Sequence, residues 1–348
     1  MMEEILETRR IDKIARTFTS SPHKVGKIHE ADAEIVDWDK QSPNYLALTT
    51  DALVEEVSSG LYDDPYLIGW MLAVVNFSDL AAVGAEPLGL LLSIAYSPKE
   101  NDEFLDKLAR GISDACQRFR TFVLGGDTNL GERLFLCGCA AGIVPKNSII
   151  TRKGAKPGDR LFITQRAGLG NIYAFLKLAG QTKDQLQNFY QPIARLKEGK
   201  IIREFANCCM DTSDGVIHTV DTLMRQNPSQ FVIHGDWERI LHPIALEVCR
   251  AQNLPPWLAL AGVHGEFELC FTLSPQKQDA FLREAAHIGW QPILIGEICD
   301  GKGVSIRAED KTIALDTAGI RNLSDRAGSD PLSYIKSLME WASNSGIK

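Results

Sequence analysis

Aspartates recur in short polar motifs that interrupt apolar stretches of the sequence. Each motif places an aspartate at the start or end of a predicted helix or strand, and most have no basic residue nearby in sequence. The motifs are TTD at 49–51, NFSD at 76–79, GGDT at 125–128 and DTSD at 211–214, and a fifth aspartate, Asp32, lies in the first predicted strand. Carboxylates beside apolar elements are costly unless they are paired, protonated or bound to metal. If these motifs converge in space, they form an oxygen-ligand site.

Such a site suits Mg²⁺, a hard cation that takes a few carboxylates together with waters and substrate phosphates. Gly125 and Gly126 follow a strand predicted at 121–124, so their N–H groups can approach phosphate oxygens while Asp127 holds the metal. Asn76 and Asp79 are three residues apart and share one face of a predicted helix. The predicted ligand is therefore a nucleoside triphosphate with Mg²⁺.

Each motif alone also has a purely structural explanation. Asp214 precedes Gly215 and fits a tight turn, while Ser213 or Asp211 fits a helix N-cap. Ser78 or Asp79 fits a cap where one helix ends and another begins. Sequence spacing leaves these alternatives open, because only convergence in space distinguishes them from a metal site.

The apolar periodicity predicts an α/β protein of two domains, residues 1–150 and 151–348. Between them, residues 145–159 are rich in Pro, Gly and Lys and mark the crossing. The elements expected in the first domain are a hairpin of strands within 28–57, a helix at 65–84, a strand at 88–96, a helix at 101–118, and strands at 121–124 and 134–144. Those expected in the second are a strand at 160–164, a helix at 171–178, a helical pair near 184–206, a strand and helix around 210–224, and strands near 267–273, 291–298 and 303–307.

The overall charge excludes some classes of partner. The 348 residues include 37 basic and 45 acidic side chains, a net charge of −8, which disfavours binding to nucleic acid or to an anionic membrane. The eight cysteines have neither CxxC nor zinc-site spacing and are typical of a reducing compartment. The apolar run 67–85 contains Asn76, Ser78 and Asp79, which favours a buried core helix over a membrane span. We expect a cytoplasmic protein.

Three other patterns carry weaker signals. Residues 296–302 fit the front of a phosphate-binding loop, but Gly303 replaces the required Ser or Thr, so a hairpin turn is expected. Residues 168–170 lack the third glycine of a dinucleotide site. His264, Glu266 and Glu268 alternate near a strand start, and they either face a ligand together or form a solvated strand edge.

Five motifs, in this order, resemble an ATP-binding superfamily. That superfamily includes thiamine-monophosphate kinase, aminoimidazole ribonucleotide synthetase, selenophosphate synthetase and a hydrogenase-maturation protein, and the pattern is most similar to the kinase. The motifs are TTDALVEEV, VNFSDLAAVGAEPL, LGGDTN, TRKGAKPGD and DTSDGV, within residues 28 to 270. The resemblance implies two α/β domains with a cleft between them, and a homodimer formed through the N-terminal sheets.

The resemblance also implies roles for individual residues, with ATP and Mg²⁺ as cofactors. The implied metal ligands are Asp32, Thr50, Asp51, Asp79, Asp127, Asp211 and Asp214. The implied nucleotide contacts are Gly125, Gly126, Arg152 and Ser213, and the implied catalytic residues are Asp127, Asp214 and Arg152. Ser58 and Glu266 correspond to positions that contact the acceptor substrate.

Departures from the family pattern concentrate at the acceptor end. Ser58 stands where the family has a histidine, and Glu30-Ala31 replaces a Gly-Asp pair before Asp32. The segment 263–269 keeps the family register only at its end, and no clear counterpart of a C-terminal aromatic contact occurs in 319–330. The expected function is Mg²⁺- and ATP-dependent phosphoryl transfer to thiamine monophosphate or a related small acceptor. The alternatives are an ATP-dependent synthetase of the same fold and a non-catalytic nucleotide-binding protein.

Overall fold

The computed structural model describes residues 3–180, 190–308, 311–327 and 331–345, and these form two mixed sheets flanked by helices. The first sheet has the order β1-β2-β3-β6-β4-β5, and only its β4–β5 pair is parallel. Its strands are β1 (Lys24–Val25), β2 (Glu34–Val36), β3 (Asn44–Ala52), β4 (Glu86–Tyr96), β5 (Val123–Leu130) and β6 (Phe135–Pro145). The second sheet has the order β13-β12-β9-β11-β7-β10-β8, and only its β12–β9 pair is parallel. Its strands are β7 (Arg160–Ile163), β8 (Cys208–Asp211), β9 (Gln230–His234), β10 (Leu269–Leu273), β11 (Ile293–Cys299), β12 (Gly303–Ala308) and β13 (Lys311–Leu315).

Helices pack on both sheets and connect their strands. In the described residues they are α1 (Leu6–Ala15), α2 (Glu55–Ser58), α3 (Pro65–Ala82), α4 (Asp102–Arg118), α5 (Leu169–Leu178), α6 (Leu196–Phe205), α7 (Val216–Gln226), α8 (Trp237–Ile240), α9 (Pro243–Ala251), α10 (Pro275–His287), α11 (Thr317–Ala327) and α12 (Pro331–Ser345). The predicted mixed α/β class is confirmed. The boundary predicted at 150/151 falls between the last strand of the first sheet and the first strand of the second, and the division into domains stays a prediction.

Helix α3 is the central core helix of the first half. Asp64 caps it by accepting from the Tyr66 N–H, and a proline occupies its first turn. Helix α3 is long and apolar enough to cross a membrane, but 72% of it is buried inside the protein, as expected of a core helix. It crosses α4 closely because glycines meet there: a Cβ on Gly69 would lie 2.0 Å from the Leu108 carbonyl oxygen.

Several predicted elements differ in detail from the structure. The second hairpin strand ends at Ala52, because residues 55–58 form α2. The GGDT motif lies inside β5 rather than after it. Residues 299–303 do not close a hairpin, since β9 lies between β11 and β12. Of the helical pair expected near 184–206, only α6 falls within the described residues, because 181–189 lie outside them.

Helix α1 packs against α11, which lies more than 300 residues later in the sequence. The Leu6 N–H donates to Asn322 Oδ1 at 3.0 Å, and Arg10 pairs with Asp325 of α11. Glu3 accepts from Arg326 at 3.0 Å. The N-terminal helix is therefore held by the second half of the protein, a contact that the sequence analysis did not predict.

Candidate active site

Three of the predicted metal ligands meet between the two halves of the protein. Asp32, Asp79 and Asp211 each place a carboxylate oxygen within 4.8 Å of the others, and we call this group the carboxylate cluster. Asp32 precedes β2, Asp79 lies in the last turn of α3, and Asp211 ends β8 of the second sheet. The cluster therefore depends on both sheets being in place.

Hydroxyl groups orient two of these carboxylates. Thr49 Oγ1 donates to Asp79 Oδ2 at 2.5 Å, and Ser78 Oγ donates to Asp211 Oδ2 at 2.6 Å. The bond from Ser78 joins α3 to β8, so it connects the two halves directly at the cluster. Ser213 Oγ donates to the second oxygen of Asp211 at 2.9 Å. The sequence analysis named Thr50, not Thr49, and gave Ser78 only a capping role.

The carboxylate cluster carries more negative charge than its neighbours neutralise. Arg152 donates to Asp32 Oδ1 at 2.9 Å, and no other ion pair to the cluster occurs within the described ranges. Burial, with the charges of Asp51, Asp211 and Asp32, raises the pKa of Asp79 well above its ordinary value. Burial and the charge of Asp32 raise the pKa of Asp211 to about 7. A bound cation relieves this repulsion, and three hard oxygen donors fit Mg²⁺.

The TTD motif divides its side chains between the two faces of β3. Asp51 lies beside Asp79, and burial raises its pKa. Its backbone N–H donates to Asn76 Oδ1 of α3 at 3.2 Å. The Thr50 hydroxyl instead donates to the Gly138 carbonyl at 2.9 Å, on the sheet face that α3 does not cover. Only Asp51 of these two therefore adjoins the carboxylate cluster through its side chain.

Asp127 lies apart from the carboxylate cluster in the single chain. Asp127 pairs in register with Ser93 of β4. Across the same sheet, Asp51 of β3 pairs with Gly138 of β6, Gly138 pairs with Leu92 of β4, and Leu92 pairs with Gly126 of β5. Asp51 is therefore level with Gly126, the residue before Asp127. Because side chains alternate along a strand, Asp127 and Asp51 point to opposite sheet faces. The Asp127 carboxylate is exposed and accepts from Asn129 Nδ2 at 2.7 Å.

Asp214 and Ser58 line a cavity of about 900 Å³ next to the cluster region. The walls of this cavity come from α1, α2, α5, α7, α9, α11, α12 and the segment 258–264. Asp214 is exposed, but desolvation by the surrounding protein, with the charge of Glu7, raises the pKa of its carboxyl to about 6. Two predicted site residues, one implied for metal and one for acceptor, thus border the same cavity.

Glu266 and Glu268, which we call the glutamate pair, are buried among internal partners. Glu266 accepts from the N–H groups of Gly168 and Gly170, both at 3.0 Å, at the start of α5. Glu268 pairs with Arg195 and accepts from Thr164. Residues 264, 266 and 268 are only 4–6% exposed, so the solvated strand edge considered in the sequence analysis is wrong. Long-range contacts bury them, and no local pattern signals these contacts: Glu266 meets the start of α5, and Glu268 meets Arg195 and Thr164.

The fold is that of a class of AIR synthase-like proteins. The family model for AIR synthase related protein, N-terminal domain, matches residues 30–144. The structure "AaThiL complexed with AMPPCP and TMP" superposes with a TM-score of 0.72 at 23% identity, covering 88% of this chain and 96% of that chain. Escherichia coli HypE, a hydrogenase maturation protein, superposes with a TM-score of 0.65 at 20% identity, covering 78% and 85%. These structural likenesses establish the fold.

Curated relatives identify the family within that class. The thiamine-monophosphate kinase of Methanocaldococcus jannaschii is 33% identical over 289 residues, which is 77% of this chain and 86% of the relative. The enzyme of Escherichia coli K12 is 29% identical over 284 residues, 79% and 85% of the two chains. The chain belongs to the thiamine-monophosphate kinase family. The predicted family and the predicted class of activity, an ATP-dependent kinase, are confirmed.

Proposed function

We propose that this protein transfers the terminal phosphoryl group of ATP to thiamine monophosphate, with Mg²⁺ bound at Asp32, Asp79 and Asp211. The observation that carries the proposal is the carboxylate cluster, in which three acidic groups from distant parts of the chain share one guanidinium partner. The curated relatives are thiamine-monophosphate kinases, which suggests the acceptor, and the AaThiL structure is a complex with AMPPCP and TMP.

The chain's own residues bind and orient the reactants in this proposal. When bound, Mg²⁺ neutralises negative charge on the β- and γ-phosphates. Arg152, already directed at the cluster by Asp32, neutralises further phosphate charge. The hydroxyl of Ser213 serves as a phosphate donor. The proposed phosphate contacts of the Gly125 and Gly126 N–H groups require a nucleotide at the β5 edge, because both residues lie within that strand. No protein nucleophile is needed, because a phosphate oxygen of the acceptor attacks in line while ADP leaves.

We also assign roles to the predicted site residues outside the carboxylate cluster. We assign Asp51 to the same metal centre because it adjoins Asp79. Asp214 borders the cavity that we assign to the acceptor, with Ser58 in its wall. Asp127 and Thr50 lie on the face of the first sheet opposite the carboxylate cluster. Their proposed part in phosphate or metal binding therefore requires a nucleotide or metal ion to bind on that face. We assign Glu266 a structural role, because its side chain accepts a hydrogen bond from the Gly168 N–H at the start of α5.

A product assay tests the function directly. The protein is incubated with MgATP and thiamine monophosphate, and the products are identified by mass spectrometry. We expect thiamine diphosphate and ADP in equal amounts, and none when a chelator removes Mg²⁺. A cyclised or aminated product indicates the synthetase alternative. Nucleotide binding without any product indicates the non-catalytic alternative, and either result contradicts the proposal.

We also propose a cytoplasmic homodimer that forms through the first sheet. The sheet face opposite α3 is not covered within the described residues and presents Leu91 and Leu124, which are 47% and 55% exposed. Burying such a face against a second copy removes apolar surface from water and protects the β5 edge. Light scattering at micromolar concentration should give twice the chain mass. A main species with the mass of one chain contradicts the dimer.

A further inference from the structure

His264 lines the cavity beside Asp214 with one ring nitrogen bound to the protein and the other open. The residue is only 6% exposed. Its Nε2 lies 3.0 Å from the Tyr62 hydroxyl, whereas its Nδ1 has no hydrogen-bond partner among the described residues. Nδ1 keeps accessible surface, because the unpartnered side-chain atoms that are sealed from solvent within those ranges belong to Thr121, His218 and Arg321. Since His264 forms part of the cavity wall, Nδ1 is the ring atom that a ligand in the cavity can contact.

Backbone contacts fix the position of His264. Its N–H donates to Asn171 Oδ1 at 3.1 Å, and the N–H of Gly265 donates to the Ser213 carbonyl at 2.7 Å. Only glycine fits at position 265, because a Cβ there would lie 1.5 Å from the Thr212 carbonyl oxygen. The imidazole is therefore held next to the DTSD motif, which carries the proposed phosphate donor Ser213.

The contact with Tyr62 determines which nitrogen of His264 carries the proton. Burial lowers the pKa of His264 to about 3, so the ring is neutral at physiological pH, with one donor and one acceptor nitrogen. A phenol hydroxyl is a better donor than acceptor, so Tyr62 donates to Nε2 and the ring proton lies on Nδ1. His264 thus presents an N–H donor, and a ligand that contacts it needs an acceptor atom at that point.

The rest of the cavity wall restricts the kind of acceptor atom. Glu55, Glu56 and Asp214 line the cavity, and none of them forms an ion pair within the part of the chain that the structure describes. Their negative charge disfavours an anionic oxygen at Nδ1 and favours a cationic ligand. Apolar side chains of α5, among them Ile172 and Phe175, line another part of the wall and suit a flat ring. The matching acceptor atom is therefore a neutral ring nitrogen of a positively charged ligand.

We propose that His264 determines the specificity of the acceptor site by donating its Nδ1–H to a neutral ring nitrogen of a cationic heterocyclic acceptor. This inference rests on the proposed function for the identity of the acceptor, because thiamine monophosphate joins an aminopyrimidine, with two neutral ring nitrogens, to a positively charged ring. The sequence analysis left open whether His264 faces a ligand. His264 lies in the segment 263–269, where the chain departs from the family pattern, so the resemblance does not imply this contact.

The test compares two substitutions that each keep a different half of the imidazole. His264→Gln places an amide where Nε2 lies and can keep the bond to Tyr62, but it has no polar atom in the position of Nδ1. His264→Asn places an amide where Nδ1 lies and loses the bond to Tyr62. His287→Gln is the control, because it makes the same change at an exposed histidine outside the cavity.

Calorimetry measures the affinity of each protein for thiamine monophosphate in the presence of Mg²⁺ and AMPPCP, an ATP analogue that does not transfer its terminal phosphoryl group. We expect about tenfold weaker binding for His264→Gln, rescue to within about twofold in His264→Asn, and unchanged binding for His287→Gln. In steady-state kinetics, KM for thiamine monophosphate should rise about tenfold in His264→Gln, while KM for MgATP stays the same and kcat changes by less than about twofold.

Ligand analogues test the same contact without a variant. Two analogues of thiamine monophosphate each have one pyrimidine ring nitrogen replaced by C–H. One of them should bind the unaltered protein about tenfold more weakly and lose no further affinity in His264→Gln. Because the first measurement uses the unaltered protein, the inference stays testable if a substitution prevents folding.

The outcomes distinguish this inference from the proposed function. Equal affinity of the unaltered protein for thiamine monophosphate and both analogues overturns the inference and leaves the kinase activity intact. Unchanged affinity in His264→Gln, or equal losses in His264→Gln and His264→Asn, has the same meaning. Binding of thiamine monophosphate with the expected losses but without formation of thiamine diphosphate from MgATP supports the inference and contradicts the proposed function. No binding of thiamine monophosphate to the unaltered protein overturns both.

Discussion

The carboxylate cluster and the glutamate pair are both buried groups of acids, but they differ in how their charge is met. Each member of the glutamate pair has internal donors: backbone N–H groups for Glu266, and Arg195 with Thr164 for Glu268. The carboxylate cluster has hydroxyl donors and a single guanidinium for three acids. Internal pairing suits a structural role, whereas a deficit of positive charge suits the binding of an external cation.

The largest expected effect comes from removing one charge of the carboxylate cluster. Asp211→Asn keeps the side-chain shape but weakens metal binding, so phosphoryl transfer should fall by about 100-fold or more. The same change relieves repulsion, so the melting temperature of the metal-free protein should rise. Product assays and thermal unfolding in chelator measure the two effects. Unchanged turnover together with lower metal-free stability contradicts the role assigned to the cluster.

A change in the glutamate pair should act on stability and spare nucleotide binding. Glu268→Gln leaves the mostly buried Arg195 without its counter-charge, and we expect a loss of about 3 kcal/mol in the free energy of unfolding, measured in urea. The affinity for MgATP should stay the same. Glu103→Gln breaks the exposed pair with Lys107 and serves as a control with nearly unchanged stability. A selective loss of MgATP affinity in Glu268→Gln would place the pair in the site.

The smallest expected effect is a pH dependence within the glutamate pair. Burial raises the pKa of Glu266 to about 8, so the folded protein keeps a proton that the unfolded chain releases near 4.5. Between these values the stability should decrease as pH rises, by about 1.4 kcal/mol per pH unit at most. Glu266→Gln removes this contribution. Equal pH slopes for the two proteins between pH 5.5 and 7.5 show that Glu266 is already ionised in the fold.

Local sequence patterns predicted most elements because their causes are local. The apolar run with Pro65 at its start gave α3, and alternating or continuous apolar runs gave the strands of both sheets. The predicted ends of helices and strands were less accurate where the same residues fit either a turn or a strand. Gly125 and Gly126 suggested a loop, but the parallel pairing with β4 keeps them extended within β5.

The site was predictable only in part, because convergence is a property of the whole fold. Sequence reasoning selected Asp32, Asp79 and Asp211 as candidates but left capping and turn roles open. The family resemblance implied Thr50, and the motif alone does not reveal that Thr49 is the threonine that contacts Asp79 of α3.

The docking of α1 on α11 has a consequence for how the protein is made. The hydrogen bond from Leu6 to Asn322 joins residues 316 positions apart, so this contact of α1 cannot form until the chain has been synthesised through α11. Contacts of such long sequence separation form late, because loop closure precedes any gain from the contact. Since α1 also borders the cavity beside Asp214, that cavity is completed only after α1 has docked on α11.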